Sequence, residues 1–202
     1  CNNMQMATNR HLHAGQQVVT RNVAKCEFVL GLANLMTETL GSNDSTQVQT
    51  MIAEIIENLE VTRSCLRAAE VDAKVDEWGV MCPAELPLQV ARNMFIRMYP
   101  RMGEILHLLG SSSLMALPSE ADMSGPLADD ISHYLETDTS SAKDRVQLFR
   151  LAWDVSCSAF GARQILYERF FQADSVRNAV ILYNMTDREP ASDIVREFLA
   201  QD

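Results

Sequence analysis

Two basic residues, Arg21 and Lys25, stand four positions apart in a segment with helical periodicity. Residues at this spacing share one face of a helix, so their charged groups are expected to lie side by side. Such a pair can neutralise a pyrophosphate, and Gln17, one turn earlier, adds an amide on the same face. A solvated basic pair without a ligand has the same spacing, so both interpretations stay open.

A second candidate anion site is the run of small residues formed by Gly110, Ser111, Ser112 and Ser113. Small residues let backbone N–H groups and hydroxyls approach a phosphate closely. The run follows a predicted helix, and a flexible turn with helix-capping serines is therefore the alternative interpretation.

A third group lies in residues 148–171, where Phe160, Gly161 and Arg163 precede a Tyr-Glu pair at 167–168. Glycine costs about 1 kcal/mol relative to alanine inside a helix. Gly161 therefore indicates close approach by a neighbouring helix or by a ligand. Arg163 can fork onto a carboxylate or a phosphate. The alternative is an Arg–Glu pair between two helices that fixes the register of a bundle.

Histidine and cysteine follow no metal-binding pattern in the sequence. His11 and His13 are two apart and would point to different faces of a helix. The five cysteines contain no CxxC pair and no zinc spacing, which predicts reduced thiols in a reducing, cytoplasmic compartment. No Ser-His-Asp arrangement, Walker loop or Rossmann glycine motif occurs, so the sequence predicts no catalytic residue.

The charge and composition exclude several classes of protein. A net charge of -10 argues against a nucleic-acid-binding surface. No apolar run reaches the roughly 20 residues that a membrane span needs. The chain is 47% hydrophobic and has only 8 Gly and 6 Pro in 202 residues, which favours few, long helices over a sheet.

Apolar periodicity predicts four long helices and three short ones. The long ones span 4–40, 46–78, 87–109 and 142–172, and the short ones span 126–136, 174–184 and 190–200. Pro100 predicts a kink or a boundary at Tyr99, and residues 110–124 are predicted to form a loop. The pattern predicts an all-α, up-down four-helix bundle in one domain, residues 1–202, with short extra helices at the C-terminus.

The chain resembles the C-terminal helical domain of the 4-hydroxyphenylacetate 3-monooxygenase oxygenase component family, the flavin-dependent two-component phenol hydroxylases. Six segments carry the resemblance in the family's order: residues 17–28, 110–119, 153–154, 160–163, 166–168 and 174–178. It implies a bundle like the C-terminal domain of acyl-CoA dehydrogenases. Family members are considerably longer, with an N-terminal helical domain and a central β domain. The resemblance therefore implies that this chain is a fragment of a longer polypeptide.

The resemblance also implies an activity and a cofactor. Family oxygenases take reduced FAD from a separate NAD(P)H-dependent flavin reductase and use O₂ to hydroxylate 4-hydroxyphenylacetate or a related phenol beside its hydroxyl group. Glu168 is assigned no catalytic role, because the flavin performs the oxygen transfer. The implied FAD-binding residues, which would act across a subunit boundary, are Arg21, Gln17, Lys25, Gly110, Ser111, Ser112, Ser113, Phe160, Gly161 and Arg163.

Two other functional hypotheses stay open beside the monooxygenase. The bundle is an oligomerisation module without flavin chemistry in one of them, and part of another flavoenzyme, such as a hydroxyacyl-CoA dehydratase, in the other. The dehydratase relatives bind an iron–sulfur cluster through a His and a Cys seven apart on the first helix. The residues seven after His11 and His13 are Val18 and Thr20, which disfavours that assignment.

Apolar stripes on more than one helix face bear on assembly. The stripe of Met94, Met98 and Met102 is typical of a core or a subunit interface. Since the stripes exceed what one bundle core can bury, we expect a homotetramer built as a dimer of dimers.

Overall fold

The computed structural model describes residues 2–171 and 174–200, and within them the chain forms ten helices and one short hairpin. The elements are α1 (Asn2–Ala7), α2 (Arg10–Thr39), α3 (Thr46–Val71), β1 (Lys74–Val75), β2 (Met81–Cys82), α4 (Glu85–Met115), α5 (Glu120–Ser124), α6 (Ala128–Leu135), α7 (Ala142–Ser156), α8 (Ala159–Phe170), α9 (Ser175–Met185) and α10 (Glu189–Leu199). This architecture confirms the predicted all-α bundle.

The core lies between α2, α3 and α4, which pack against one another, while α7, α8 and α9 pack on α4. Cys26, Met36, Ile55, Met102 and Ile105 are fully buried at its centre. Burying a large aliphatic side chain contributes about 1.5–3 kcal/mol, so these contacts hold the three long helices together. The predicted apolar stripes supply these residues.

The first predicted helix, 4–40, is interrupted near its start. Asn9 has a left-handed backbone with φ of 53°, which separates α1 from α2. Asparagine tolerates this conformation better than most residues. The break is confined to Thr8 and Asn9, so α2 still presents Arg21 and Lys25 from one continuous helix.

The second predicted helix, 46–78, is shorter in the structure, where α3 ends at Val71. The following residues form the β1–β2 hairpin. Its turn is held by Asp76, whose Oδ1 accepts hydrogen bonds of 2.9 Å from the N–H groups of Trp78 and Val80. Gly79 has φ of 77°, which a side chain would disfavour. Strands of two residues each are too short to leave an alternating pattern in the sequence.

The third predicted helix, 87–109, continues through Pro100 without a boundary at Tyr99. A proline inside a helix costs about 3 kcal/mol. The burial of Tyr99 and Met102 on either side offsets that cost through packing. Residues 110–124 are not a continuous loop, because α4 extends to Met115 and α5 follows it. The one break in α4 is at Ser111, with φ of 44° and ψ of -134°.

The fourth predicted helix, 142–172, is divided into α7 and α8. Ser158 caps α8, and its Oγ accepts a hydrogen bond of 3.2 Å from the N–H of Gly161. A Cβ on Gly161 would lie 2.7 Å from the carbonyl carbon and oxygen of Val155. The close approach that Gly161 indicated is therefore made by the backbone at the end of α7.

The C-terminal helices match the predicted short helices to within a residue or so. A buried hydrogen bond of 3.1 Å from Gln89 Nε2 to Asn178 Oδ1 fastens α9 to α4. Helix α10 leaves one apolar stripe open to solvent. Four residues of this stripe are each more than half exposed: Ile194, Val195, Phe198 and Leu199. Among the described helices, none is long and apolar enough to cross a membrane.

Candidate functional site

A groove with basic and aromatic walls runs between α2 and α8, and we call it the cationic groove. It consists of two adjoining cavities of about 280 and 440 Å³ that share Arg21, Lys25, Phe160 and Gln164. The helical spacing of four places Arg21 and Lys25 side by side, as the sequence predicted. The remaining residues that line it are Ala24, Phe28, Val29, Tyr99, Val155, Arg163 and Tyr167.

The two basic side chains converge on Glu168, whose side chain is fully buried. Arg21 Nη2 donates to Glu168 Oε2 at 3.3 Å, and Lys25 Nζ pairs with Oε1. Gln164, one turn earlier on α8, donates to Oε1 at 2.9 Å. All these donors satisfy a carboxylate that would otherwise be costly to bury.

Aromatic rings complete the surroundings of the two cations. Arg21 Nη1 donates a hydrogen bond of 2.8 Å to the hydroxyl of Tyr167, and its guanidinium lies 5.1 Å from the centre of that ring. Lys25 Nζ lies 5.3 Å from the ring centre of Tyr99. Tyr167 in turn stacks on Phe171 with ring centres 4.4 Å apart. These cation–π and stacking contacts hold the side chains on the groove wall.

The groove carries a net positive charge, because Arg21, Lys25 and Arg163 contribute three positive charges and Glu168 contributes one negative charge. Burial lowers the pKa of the Lys25 ammonium, while its hydrogen bond and ion pair with Glu168 act in the opposite direction. Burial and, less strongly, the Glu168 carboxylate raise the pKa of Tyr99 to about 12. Tyr99 is therefore a neutral hydroxyl at physiological pH and adds no negative charge.

The other side of the groove is apolar and open. Phe28 from α2 and Phe160 from the first turn of α8 are 51% and 67% exposed. With Val155 they line the smaller cavity beside the cations. Such a surface suits a ligand that combines an anionic group with a flat apolar part.

The run Gly110–Ser113, which we call the serine turn, lies elsewhere in the bundle. The Ser111 backbone has a positive φ, and its ψ is far from the left-handed helical region. Gly110 is buried, and a Cβ there would lie 2.9 Å from Leu114 and 3.2 Å from Met36. The glycine is therefore explained by contact with its own chain.

Beside the serine turn, Arg145 of α7 bridges two segments. Its Nη2 donates to Ser113 Oγ at 3.2 Å, and its Nη1 donates to the carbonyl oxygen of Leu135 at 3.2 Å. These residues border a cavity of about 200 Å³ together with Ser112 and Phe149. The serine turn begins on α4 eleven residues beyond Tyr99, which corresponds to roughly 16 Å along the helix axis.

The structure thus divides the predicted site residues between two places. Arg21, Lys25, Phe160 and Arg163 line the cationic groove, and Gly161 supports the turn from which Phe160 projects. Gln17 is exposed one turn before Arg21. The predicted residues Gly110, Ser111, Ser112 and Ser113 form the separate serine turn.

The interhelical Arg–Glu pair, the alternative considered for Arg163, involves a different arginine. The interhelical Arg–Glu pair exists, but Arg21 and Lys25 make it with Glu168, while Arg163 is exposed. Sequence reasoning also missed Tyr99 and Arg145. Tyr99 carried a signal in the sequence, since it stands three residues before Met102, a spacing that places both on one face of α4.

The described part of the chain contains no group of three or more His, Cys, Asp and Glu side chains that could hold a metal ion.

Comparison with known proteins identifies the family. A family model described as 4-hydroxyphenylacetate 3-hydroxylase C terminal matches residues 1–200. The chain belongs to this family. The 4-hydroxyphenylacetate 3-hydroxylase resemblance carried by the six sequence segments is thereby confirmed.

Two relatives show how much of a family member is present. The chain is 46% identical over 201 residues to the 4-hydroxyphenylacetate 3-monooxygenase oxygenase component of Thermus thermophilus, and 42% identical over 200 residues to that of a Geobacillus species. These matches cover 100% and 98% of this chain but only 42% and 40% of the relatives. The chain therefore spans about two fifths of the length of these hydroxylase relatives.

A solved structure of the family shares the fold. The crystal structure of a 4-hydroxyphenylacetate 3-monooxygenase oxygenase component complexed with FAD and 4-hydroxyphenylacetate matches with a TM-score of 0.94 and 46% identity. The match covers 100% of this chain and 42% of that protein. The helical bundle is therefore the one found in this family.

Proposed function

We propose that this chain acts as the C-terminal domain of a reduced-FAD-dependent phenol monooxygenase, the oxygenase component of a two-component system. The proposed reaction hydroxylates 4-hydroxyphenylacetate or a related phenol with O₂ beside the existing hydroxyl group. Support comes from 46% identity to a named oxygenase component and from the likeness to a family structure that contains FAD and the phenol. The longer relatives suggest that further domains complete the active site.

The cationic groove is the observation that carries the proposal within this chain. Its net positive charge suits the pyrophosphate of a dinucleotide, and its open Phe28 and Phe160 rings suit a planar ring system. In this proposal Arg21 and Lys25 bind the anionic part of FAD, and Phe160 and Arg163 flank it. When bound, reduced FAD supplies the activation of O₂, and these residues supply binding and orientation.

The other predicted FAD-binding residues have a weaker claim. Gln17 needs only a side-chain rotation to reach a ligand near Arg21, because it lies one turn away on the same helix face. The serine turn and Arg145 offer hydroxyl and guanidinium donors about 16 Å further along the α4 axis than Tyr99. Gly161 contributes through the shape of the turn that carries Phe160.

The proposal is tested by substituting Arg21 in the full-length protein. Arg21→Ala removes a guanidinium that can donate charge-assisted hydrogen bonds worth about 1.5–3 kcal/mol. We expect the Kd for reduced FAD, measured by anaerobic titration, to rise about 10-fold or more.

The matched control is Arg67→Ala, which removes an exposed arginine from α3 and should leave the Kd unchanged. An unchanged Kd in Arg21→Ala would contradict the assignment of Arg21. Absence of reduced-FAD binding in the unaltered protein would contradict the proposed function itself.

The proposed partners are a separate flavin reductase, which delivers reduced FAD, and further copies of the same chain. Exposed apolar side chains on α8, α9 and α10, such as Phe170, Val180 and Phe198, support assembly into a homotetramer. Light scattering of the full-length protein should then give the mass of four chains. Among the described residues, Cys26, Cys65, Cys82 and Cys157 are free thiols, which supports a reducing, cytoplasmic location.

A further inference from the structure

We propose that Glu168 is the positioning residue of the cationic groove, fixing Arg21 and Lys25 so that they present one net positive charge to the anionic part of the ligand. This inference rests on the proposed function, because the ligand used to test it is reduced FAD. Glu168 itself does not touch the ligand in this proposal. Its effect on binding passes through the two cations.

The burial of Glu168 is the first argument. Its side chain is completely buried, whereas the side chains of Arg21 and Lys25 are 26% and 23% exposed. The carboxylate therefore faces the protein interior, and the cations lie between it and the groove. A group in this arrangement cannot contact a ligand in the groove, but it determines where the cations are held.

The donors on Glu168 are the second argument. Its two oxygens accept from different donors: Oε2 accepts from Arg21, and Oε1 accepts from both Lys25 and Gln164. Each cation therefore has a defined position on the carboxylate. Without a negative charge between them, two cations four residues apart on one helix repel each other and keep their rotamer freedom.

The unused donors of Arg21 are the third argument. A guanidinium has five N–H groups, and Arg21 uses one on Nη1 for Tyr167 and one on Nη2 for Glu168. Its Nε is buried and has no hydrogen-bond partner among the described residues. One N–H on each of Nη1 and Nη2 is not used by these two hydrogen bonds, and guanidinium donors of this kind bind anions.

Neutralising Glu168 changes the affinity for an anion in opposite directions, depending on whether Glu168 acts through the charge of the groove or through the positions of the cations. Glu168→Gln raises the net charge of the groove by one, from two to three when Arg163 is counted. If only the field of the groove mattered, the variant would bind an anion more tightly. If Glu168 positions the cations, the variant binds more weakly despite the added positive charge.

The experiment is an anaerobic titration of reduced FAD into the full-length protein and its variants. We expect Glu168→Gln to raise the Kd roughly 10-fold. Glu168→Asp keeps the charge but shortens the side chain by one methylene group, and we expect a rise of similar direction, about 3-fold or more. The control Glu60→Gln neutralises an exposed partner of Arg63 on α3 and should leave the Kd unchanged.

A double substitution separates positioning from a general effect on folding. In an Arg21→Met background, Glu168→Gln should raise the Kd by no more than about 3-fold, because one of the two positioned cations is already gone. A role in folding alone would produce the same loss in both backgrounds, and that result would overturn the proposal.

The remaining outcomes are also decisive. Tighter or unchanged binding by Glu168→Gln, or unchanged binding by Glu168→Asp, overturns the positioning role. If Glu168→Gln does not fold, the charge-conserving Glu168→Asp variant decides the question. Failure of the unaltered protein to bind reduced FAD refutes the proposed function and this inference with it, whereas normal binding with insensitive variants refutes the inference alone.

Discussion

The cationic groove and the serine turn differ in how far apart their parts lie along the chain. The groove joins Arg21 to Tyr167 and Glu168, which are 146 and 147 residues away. The serine turn consists of four consecutive residues, and its hydrogen bond to Arg145 spans 32 residues. One region depends on how α8, which packs on α4 and α7, presents Tyr167 and Glu168 to α2. The other region depends largely on its own backbone.

This difference indicates how each region responds to change. The geometry of the groove is determined by the fold, so a substitution that displaces α8 should affect every contact in it. The serine turn holds its shape against an unfavourable backbone conformation at Ser111, so its response should be local. The three predictions below test this contrast, starting with the largest expected effect.

The largest effect is expected from Gly161→Ala, at the corner between α7 and α8. The new Cβ would lie 2.7 Å from the carbonyl group of Val155 and 2.8 Å from the carbonyl oxygen of Asp154. Backbone atoms cannot move away without shifting α8, so we expect a loss of about 1–3 kcal/mol in the free energy of unfolding. Urea unfolding followed by circular dichroism measures this loss.

Gly31→Ala is the matched control, because the added Cβ would meet nothing within 4 Å among the described residues. Alanine favours a helix interior over glycine, so this variant should gain up to about 1 kcal/mol. Equal stability of the two variants would show that the α7–α8 corner is not sterically fixed and would remove the contrast between the two regions.

A smaller effect is expected at the serine turn. Ser111 has φ of 44°, which costs a residue with a Cβ of the order of 1 kcal/mol or more. Ser111→Gly should therefore increase the free energy of unfolding by about 1 kcal/mol. Ser111→Ala retains the Cβ and should bring no such gain. A Gly variant no more stable than the Ala variant, in the same urea titration, would disprove strain at this position.

The smallest effect is expected from pH, and it belongs to the groove side of the bundle. Burial raises the pKa of Cys26 to about 12, and burial also raises that of Tyr99 to about 12. Both groups keep their protons in the folded state at pH values where the unfolded chain begins to lose them. The stability they contribute is complete below about pH 9 and is lost as the pH rises toward 12.

At pH 9.5 this loss should amount to under about 1 kcal/mol relative to pH 8. Urea titrations at the two pH values measure it. Cys26→Ala removes the titrating thiol, so its stability should fall less between these pH values, whatever the variant loses in packing at both. An identical pH dependence in the variant would show that Cys26 ionises as easily in the folded state as in the unfolded state.

Much of the bundle could be predicted from the sequence because burial repeats with the helical period. The stripes on α2, α3 and α4 supply the core residues, and the short terminal helices were predicted almost to the residue. The breaks were harder to predict. The rule that ends a helix before Pro100 is local, and the tertiary burial of Tyr99 and Met102 outweighed it.

The sequence predicted which residues line the candidate site, but it did not predict which of them pair with one another. The spacing of Arg21 and Lys25 places them on one face, and this follows from helix geometry alone. Their pairing with Glu168 does not, because no local rule relates residues more than 140 positions apart. Arg145 was missed for a similar reason, since its contact with Ser113 depends on how α7 crosses α4.

The long separation between Arg21 and Tyr167 has a consequence for the time at which the groove forms. Helices α2, α3 and α4 follow one another along the chain and can associate by closing short loops. At about 5–20 residues per second, a ribosome needs roughly 7–30 s to make the 146 residues between the two sides of the groove. During that interval Arg21 and Lys25 stay hydrated on a partly folded bundle. We expect the groove to close only after α2, α3 and α4 have associated, so that only a chain with α8 in place can hold a ligand there.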